Sequence, residues 1–207
     1  MAKPGIQYRH PWIYSLFIPL IHRPSVVAAF RREVGKRNRV FDIAAGFGQM
    51  AKYIDPSNTY SGIDLNQTYI DHAKARGLEI RRGSIFDAKQ YMPHDVSILV
   101  DVVHHMPHNK LPELFDLIFK HAGKRVVILE PSFVNFEKRL GRLGRPIDWM
   151  LKKLDSDGVN DIDHWLSEAE YTELFTSKFR SKHGDKFTLK IEQIHPYYLV
   201  TYTRKTT

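Results

Sequence analysis

Gly46 and Gly48, with Ala51 three residues further, lie in the stretch Val40-Phe41-Asp42-Ile43-Ala44-Ala45-Gly46-Phe47-Gly48-Gln49-Met50-Ala51. The apolar residues ahead of the glycines read as a strand, and the glycines as a tight turn whose backbone would approach a ligand closely. The Gly-x-Gly-x-x-Ala spacing satisfies a nicotinamide or flavin fingerprint, and Asp64 stands about 20 residues on, at the end of the next strand. Asp42 argues otherwise. It precedes Gly46 by four residues, so its carboxylate belongs near the carboxyl end of the first strand. There it would repel a diphosphate and attract a cationic ligand.

A second group of reactive side chains comprises Asp101, His104, His105 and His108, with Glu130 further along. On one helix the three imidazoles and the carboxylate could gather zinc or iron, but Pro107 interrupts any helix through His108. No metal is expected. His104 is the candidate to face a substrate, where a neutral imidazole could take a proton from a hydroxyl or an amine. Glu130, just before Pro131, is placed at the carboxyl edge of the sheet, where open α/β folds bind ligands, and is a second candidate for base or substrate orientation.

The elements that must position these groups alternate regularly. Val40 to Ala44 reads as a strand, Gly48 to Ile54 as a helix, Thr59 to Ile63 as a strand and Asn66 to Arg76 as a helix. A short strand at Glu79 to Arg82 follows, then a buried strand at Val96 to Val100, a helix at Leu111 to His121 and a buried strand at Arg125 to Leu129. This alternation predicts a parallel sheet with crossover helices. Lys186 to Ile194 and Tyr197 to Arg204 then read as an antiparallel hairpin at a sheet edge. Residues 1–38 form a helical leader, aromatic at first (Trp12, Tyr14, Phe17) and then basic, with breaks near Pro19 and Pro24. Residues 132–180 read as a second helical and basic segment, broken at Gly141, Gly144 and Pro146, with Ser167 before Glu170 as a helix start.

The chain has 207 residues, 43% hydrophobic and 26% charged, which suits one folded α/β domain with a small appendage. With no cysteine, disulfide scaffolds, thiolate metal sites and thiol nucleophiles are excluded. A net charge of +8 favours anionic partners. The longest strongly apolar run, Trp12 to Ile21, holds Pro19 and falls short of the roughly 20 residues of a membrane span. Cytoplasmic residence is the default, and the aromatic and basic leader adds the expectation of peripheral contact with an anionic membrane.

S-adenosylmethionine is a cation of the kind Asp42 would attract, and from residue 39 onward the chain resembles the class I S-adenosylmethionine-dependent methyltransferases. Asp42, Ala44, Gly46 and Gly48 match the family's acidic, glycine-rich first motif, with alanine replacing one glycine. That replacement is costly if position 44 requires a positive φ. The resemblance implies an α/β fold, a doubly wound, mostly parallel seven-stranded sheet with a C-terminal antiparallel hairpin and an N-terminal helical leader. By the same resemblance, Asp42 and Gly46 hold the methionine end of the donor, and Asp64, followed by Leu65, holds the ribose. Ile85, Phe86 and Asp87 would flank the adenine, and backbone near Leu99 and Val100 would approach the methionine. Residues 39–207 would be the methyltransferase domain, with 132–180 as a substrate-recognition insert and 1–38 as a substrate cover.

The expected function is methyl transfer to a small or amphiphilic, lipid-like acceptor. A nucleic-acid methyltransferase, a nicotinamide-dependent oxidoreductase and a non-catalytic donor-binding protein are the alternatives. Each would keep the same strand and glycine turn.

Overall fold

Seven strands form one sheet in the order β3-β2-β1-β4-β5-β7-β6. The computed structural model describes residues 22–132, 142, 145–146, 168–178 and 186–206. The strands are β1 (Arg39–Ile43), β2 (Thr59–Asp64), β3 (Glu79–Arg82), β4 (His94–Val100), β5 (Ala122–Pro131), β6 (Phe187–Ile194) and β7 (Tyr197–Arg204). The first five pair in parallel, and β7 runs antiparallel between β5 and β6. The expected doubly wound sheet and edge hairpin are therefore present.

Four helices belong to the described residues: α1 (Pro24–Val34), α2 (Gln67–Ala75), α3 (Leu111–His121) and α4 (Glu168–Glu173). Pro24 opens α1, as a proline with no amide hydrogen to lose can do. The α1 residues Val26, Ala29, Phe30 and Val34 pack on Val40, Ile98, Val127 and Leu129 of one sheet face. On the opposite face α3, α4 and the π-helical turn Leu174–Lys178 that continues α4 bring Leu114, Phe115, Ile118, Tyr171 and Phe175 against Phe41, Leu99, Val126 and Ile128. Neighbours Val126 and Val127 thus serve opposite layers, because successive strand side chains alternate faces. Asn66 caps α2 by accepting from the amides of Thr68 and Tyr69.

Two expected elements differ. The helix expected from Gly48 to Ile54 is a short 3-10 turn, Gln49–Lys52. Gly48 is left-handed and Pro56 follows closely, so no room remains for an α-helical run. The strand expected at Arg125 to Leu129 runs from Ala122 to Pro131, because β7 pairs with it as far as Pro131. Residues 1–21, which hold the leader's aromatic residues, and most of the basic 132–180 segment lie outside the described residues. Among the described residues no helix is long and apolar enough to cross a membrane.

From β1 the chain winds outward to β2 and β3, then returns to place β4 on the other side of β1. Loops leaving β1 and β4 therefore diverge and open a crevice at the carboxyl edge. Gly62 permits the close approach beneath it, since a Cβ there would lie 2.8 Å from the Asp42 carbonyl oxygen and from the Ala45 Cβ. Gly62→Ala should lower stability by about 1–3 kcal/mol, read as a reduced urea midpoint with an unchanged slope.

Candidate functional site

The turn after β1 is built from left-handed backbone: Ala44 has φ 63°, Gly46 55° and Gly48 75°. Glycine accepts this conformation readily, whereas alanine there is strained by roughly 1–2 kcal/mol. The alanine at position 44 is thus the costly case anticipated from the sequence. Gly48 is needed twice over, because a Cβ would also overlap Leu78 and press on Ile80.

Asp64 holds this turn from the end of β2. One carboxylate oxygen accepts the Gly46 amide at 2.7 Å and the other accepts the Asn66 amide at 2.7 Å. These two backbone donors tie the turn after β1 to the end of β2. The Arg76 guanidinium anchors the far side by donating to the Phe47 carbonyl at 3.1 Å. Leu65, next to Asp64, is 52% exposed and offers an apolar surface at the mouth.

Beneath the turn, Asp42 is 2% exposed and accepts the Tyr60 hydroxyl at 2.5 Å. Burial pushes its carboxyl up to about 7; the Tyr60 hydrogen bond opposes the rise and the nearby Asp64 charge adds to it. The Tyr60 hydroxyl is itself driven well above its usual range, first by burial and then by Asp42. Two carboxylates and a tyrosine thus underlie a glycine turn on the β1 side of the crevice.

The segment after β3 holds Ile85 buried, with its carbonyl accepting the Tyr91 hydroxyl at 2.6 Å, and Phe86 half-buried. Asp87 caps the short turn Ala88–Gln90, accepting from the Lys89 amide at 3.0 Å and from the Gln90 side chain at 3.1 Å. Leu99 and Val100 bury their side chains in opposite layers, leaving backbone as their means of meeting a ligand.

Across the crevice, Glu130 at the end of β5 is 0% exposed. Its carboxylate accepts the amides of Val102 at 2.8 Å, Val103 at 2.7 Å and His104 at 3.4 Å, and meets His104 Nδ1 at 2.7 Å. The carboxylate named from the sequence as a candidate for base or substrate orientation thus lies against His104 and the backbone that follows β4. Val103–His105 forms a 3-10 turn, ended before Pro107 as the sequence suggested. Among the described residues no three His, Asp or Glu side chains converge as a metal site.

Sequence reasoning did not assign Tyr60, His22 or Tyr171 to this edge. Tyr60 was within reach of it, because the parallel register sets Val40 beside Tyr60 and Asp42 beside Gly62, which puts Asp42 and Tyr60 diagonally on one face. His22 and Tyr171 arrive from distant segments.

No family model and no curated protein matches this sequence. Solved structures match its fold. A complex of DhpI with SAH aligns at a TM-score of 0.66 and 15% identity, covering 96% of this chain and 93% of that one. Magnesium protoporphyrin IX methyltransferase from Synechocystis PCC 6803, with bound SAH, aligns at 0.59 and 14%, covering 87% and 81%. Human N-acetylserotonin methyltransferase in complex with SAM aligns at 0.64 and 18%, covering 97% of this chain and 58% of that longer one.

Two measurements follow from this geometry. Asp42 holds its proton up to about pH 7 in the fold but only to about 3.9 when unfolded. Its stabilising contribution is therefore complete below about pH 4 and is lost as pH rises toward 7. Urea titrations of the ligand-free protein should show this decline, and Asp42→Asn should remove it and raise the midpoint at pH 8. Ala44→Gly should raise stability by up to about 1 kcal/mol, since relief of left-handed strain outweighs the added chain entropy; thermal denaturation measures it.

Proposed function

We propose that this protein is an S-adenosylmethionine-dependent methyltransferase acting on a small-molecule acceptor. One observation carries the reading: the crevice between β1 and β4 is floored by the buried carboxylate of Asp42 and rimmed by that of Asp64, around a turn of left-handed backbone. Negative charge at that turn, from Asp64 and from Asp42 as it ionises near pH 7, suits a donor with an ammonium and a sulfonium, and opposes the diphosphate of a nicotinamide cofactor. The fold shared with SAM-bound and SAH-bound structures supports the same donor.

In this reading Asp42 attracts the methionine ammonium, the backbone of Ala44, Gly46 and Gly48 cradles the methionine end, and Asp64 accepts the ribose hydroxyls. Leu65, Ile85 and Phe86 enclose the adenine, with Asp87 at its polar edge. The backbone at Leu99 and Val100 approaches the methionine part of the donor. The donor, when bound, supplies an electrophilic methyl group on sulfur that an acceptor's lone pair displaces in line. The chain's part is to align the two and to keep water out, with His104, held by Glu130, as the group for a proton released by the acceptor.

A cluster of basic side chains among the described residues lies away from this crevice. Lys36, Lys124, Arg125, Arg204 and Lys205 line a groove at the amino ends of β1 and β5 and the end of β7, on the opposite edge of the sheet. A small acceptor is the better match to the edge that carries Asp42, Asp64, Asp101 and Glu130.

Calorimetric titration with SAM and SAH, with NADH and NADPH as controls, tests the donor. Micromolar binding, about 8 kcal/mol, is expected for the first pair alone. Asp64→Ala should abolish it, and unchanged affinity would remove Asp64 from the ribose role. SAM affinity should rise with pH through about 7 as Asp42 ionises, and Asp42→Asn should flatten that dependence.

A further inference from the structure

At the sheet edge opposite the crevice, a concave groove of about 400 Å³ is lined by Lys36, Asn38, Lys124, Arg125, Arg204 and Lys205, and by no carboxylate among the described residues. Three separate segments bring these side chains together: the chain leaving α1, the start of β5 and the end of β7. The antiparallel register sets Arg125 beside Thr203, so Arg204 and Lys205 follow at its flank. Lys124 Nζ reaches across to the Asn38 Oδ1 at 3.1 Å, which ties β5 to the segment after α1. Gly35 and Gly123 contribute backbone without side chains to the wall.

The groups that hold the arginines are neutral. Arg125 Nη1 donates to the Glu33 carbonyl at 2.9 Å, and Arg204 Nη2 donates to the carbonyls of Phe119 at 3.0 Å and Ala122 at 2.8 Å. Both arginines are half-buried, and among the described residues neither forms an ion pair with a carboxylate. Carbonyls fix a guanidinium in place without cancelling its charge. Of the lysines, Lys124 meets Asp95 at 3.4 Å, but Asp95 also meets Arg39 at 3.3 Å, and Lys36 lies 3.7 Å from Asp55. The negative end of the α1 dipole, about half a charge, accounts for a cation at Arg125 but not for the whole cluster. Like charges gathered on partly buried side chains repel one another with weakened screening, and a bound anion removes that cost.

The shape and the donors narrow the anion. Planar guanidinium forks match the paired oxygens of a phosphate, and lysines add point charges around them. A single carboxylate would leave most of these cations uncompensated. The volume lies within the roughly 300–1,000 Å³ of small-molecule sites, whereas a nucleic-acid backbone or a membrane surface asks for an extended basic stripe or face. We propose that this groove binds a small phosphorylated molecule carrying at least two negative charges, with Lys124, Arg125 and Lys205 as its principal contacts. The site stands apart from the crevice, and it does not depend on the methyltransferase reading.

The test titrates the full chain with pyrophosphate and, at matched ionic strength, with acetate, by calorimetry. Pyrophosphate should bind one to one and at least about tenfold tighter than acetate, a difference of about 1.4 kcal/mol, and should raise the thermal midpoint of the protein. Lys124→Gln combined with Lys205→Gln, both at exposed positions, should weaken pyrophosphate at least about tenfold and shrink the thermal shift. Lys74→Gln combined with Lys110→Gln removes the same charge from exposed positions on and beside other helices and should weaken it by less than about twofold. Acetate binding as tightly as pyrophosphate, no saturable binding at millimolar pyrophosphate, or equal weakening by the two double variants would each overturn the proposal. Single-stranded oligouridylate or phosphatidylglycerol vesicles binding through Lys124 and Lys205 more tightly than pyrophosphate would overturn it as well, and would assign the groove to a nucleic acid or to a membrane.

Discussion

A carboxylate with no surface in water must find hydrogen bonds for its lone pairs, or the cost of burying its charge would unfold the region around it. Glu130 finds them across a strand boundary. It extends from the end of β5 and takes its amide donors from the chain that has just left β4. That single set of bonds decides where the backbone goes after Val100, and with it the left-handed turn at Asp101 and the inward placement of His104. The β4 side of the crevice depends on this buried charge being satisfied. Removing the acceptor would strand two or three amides, while removing a donor would leave a charge exposed to low dielectric, and either costs several kcal/mol on general grounds.

The β1 side uses the same device with looser terms. Asp64 also sits at a strand end and also collects backbone amides, those of Gly46 and Asn66. Asp42 has a hydroxyl and no amide, and burial then leaves its carboxyl protonated near neutrality. Three carboxylates at one sheet edge are thus held by different donors: backbone amides and an imidazole for Glu130, backbone amides for Asp64 and a phenolic hydroxyl for Asp42.

Much of the architecture could be read from the residues. The helix over Leu111–His121, the strand at Glu79–Arg82 and the closing hairpin appear where periodicity put them, because each has a clear apolar rhythm bounded by breakers. The glycine turn was legible for the same local reason, as was the helix read from Asn66, the residue that caps it in the fold. What stayed hidden depended on distant partners. Nothing near Glu130 in sequence announces that its acceptors would be filled by residues some 27 positions earlier. Asp101 read as a metal-ligand candidate because it lies beside histidines, yet the fold turns His104 toward Glu130 and gives Asp101 to His22 and Tyr197. The length of β5 was underestimated because Glu130 and Pro131 do not look like strand residues until β7 pairs with them.

Net charge and local charge point in different directions here. A value of +8 describes how the whole chain meets an anionic surface or polymer. It says little about what enters a crevice, where the nearest groups dominate because the dielectric is low and screening by salt is weak. The described basic residues of α1's end, β5's start and β7's end gather at the amino edge of the sheet. At the carboxyl edge, acidic groups stand at the ends of β1, β2 and β5 and just past the end of β4. A parallel sheet produces such a separation easily, since every parallel strand delivers its trailing residue to the same edge, and one acidic residue per strand end is enough to make that edge negative while the opposite edge stays basic.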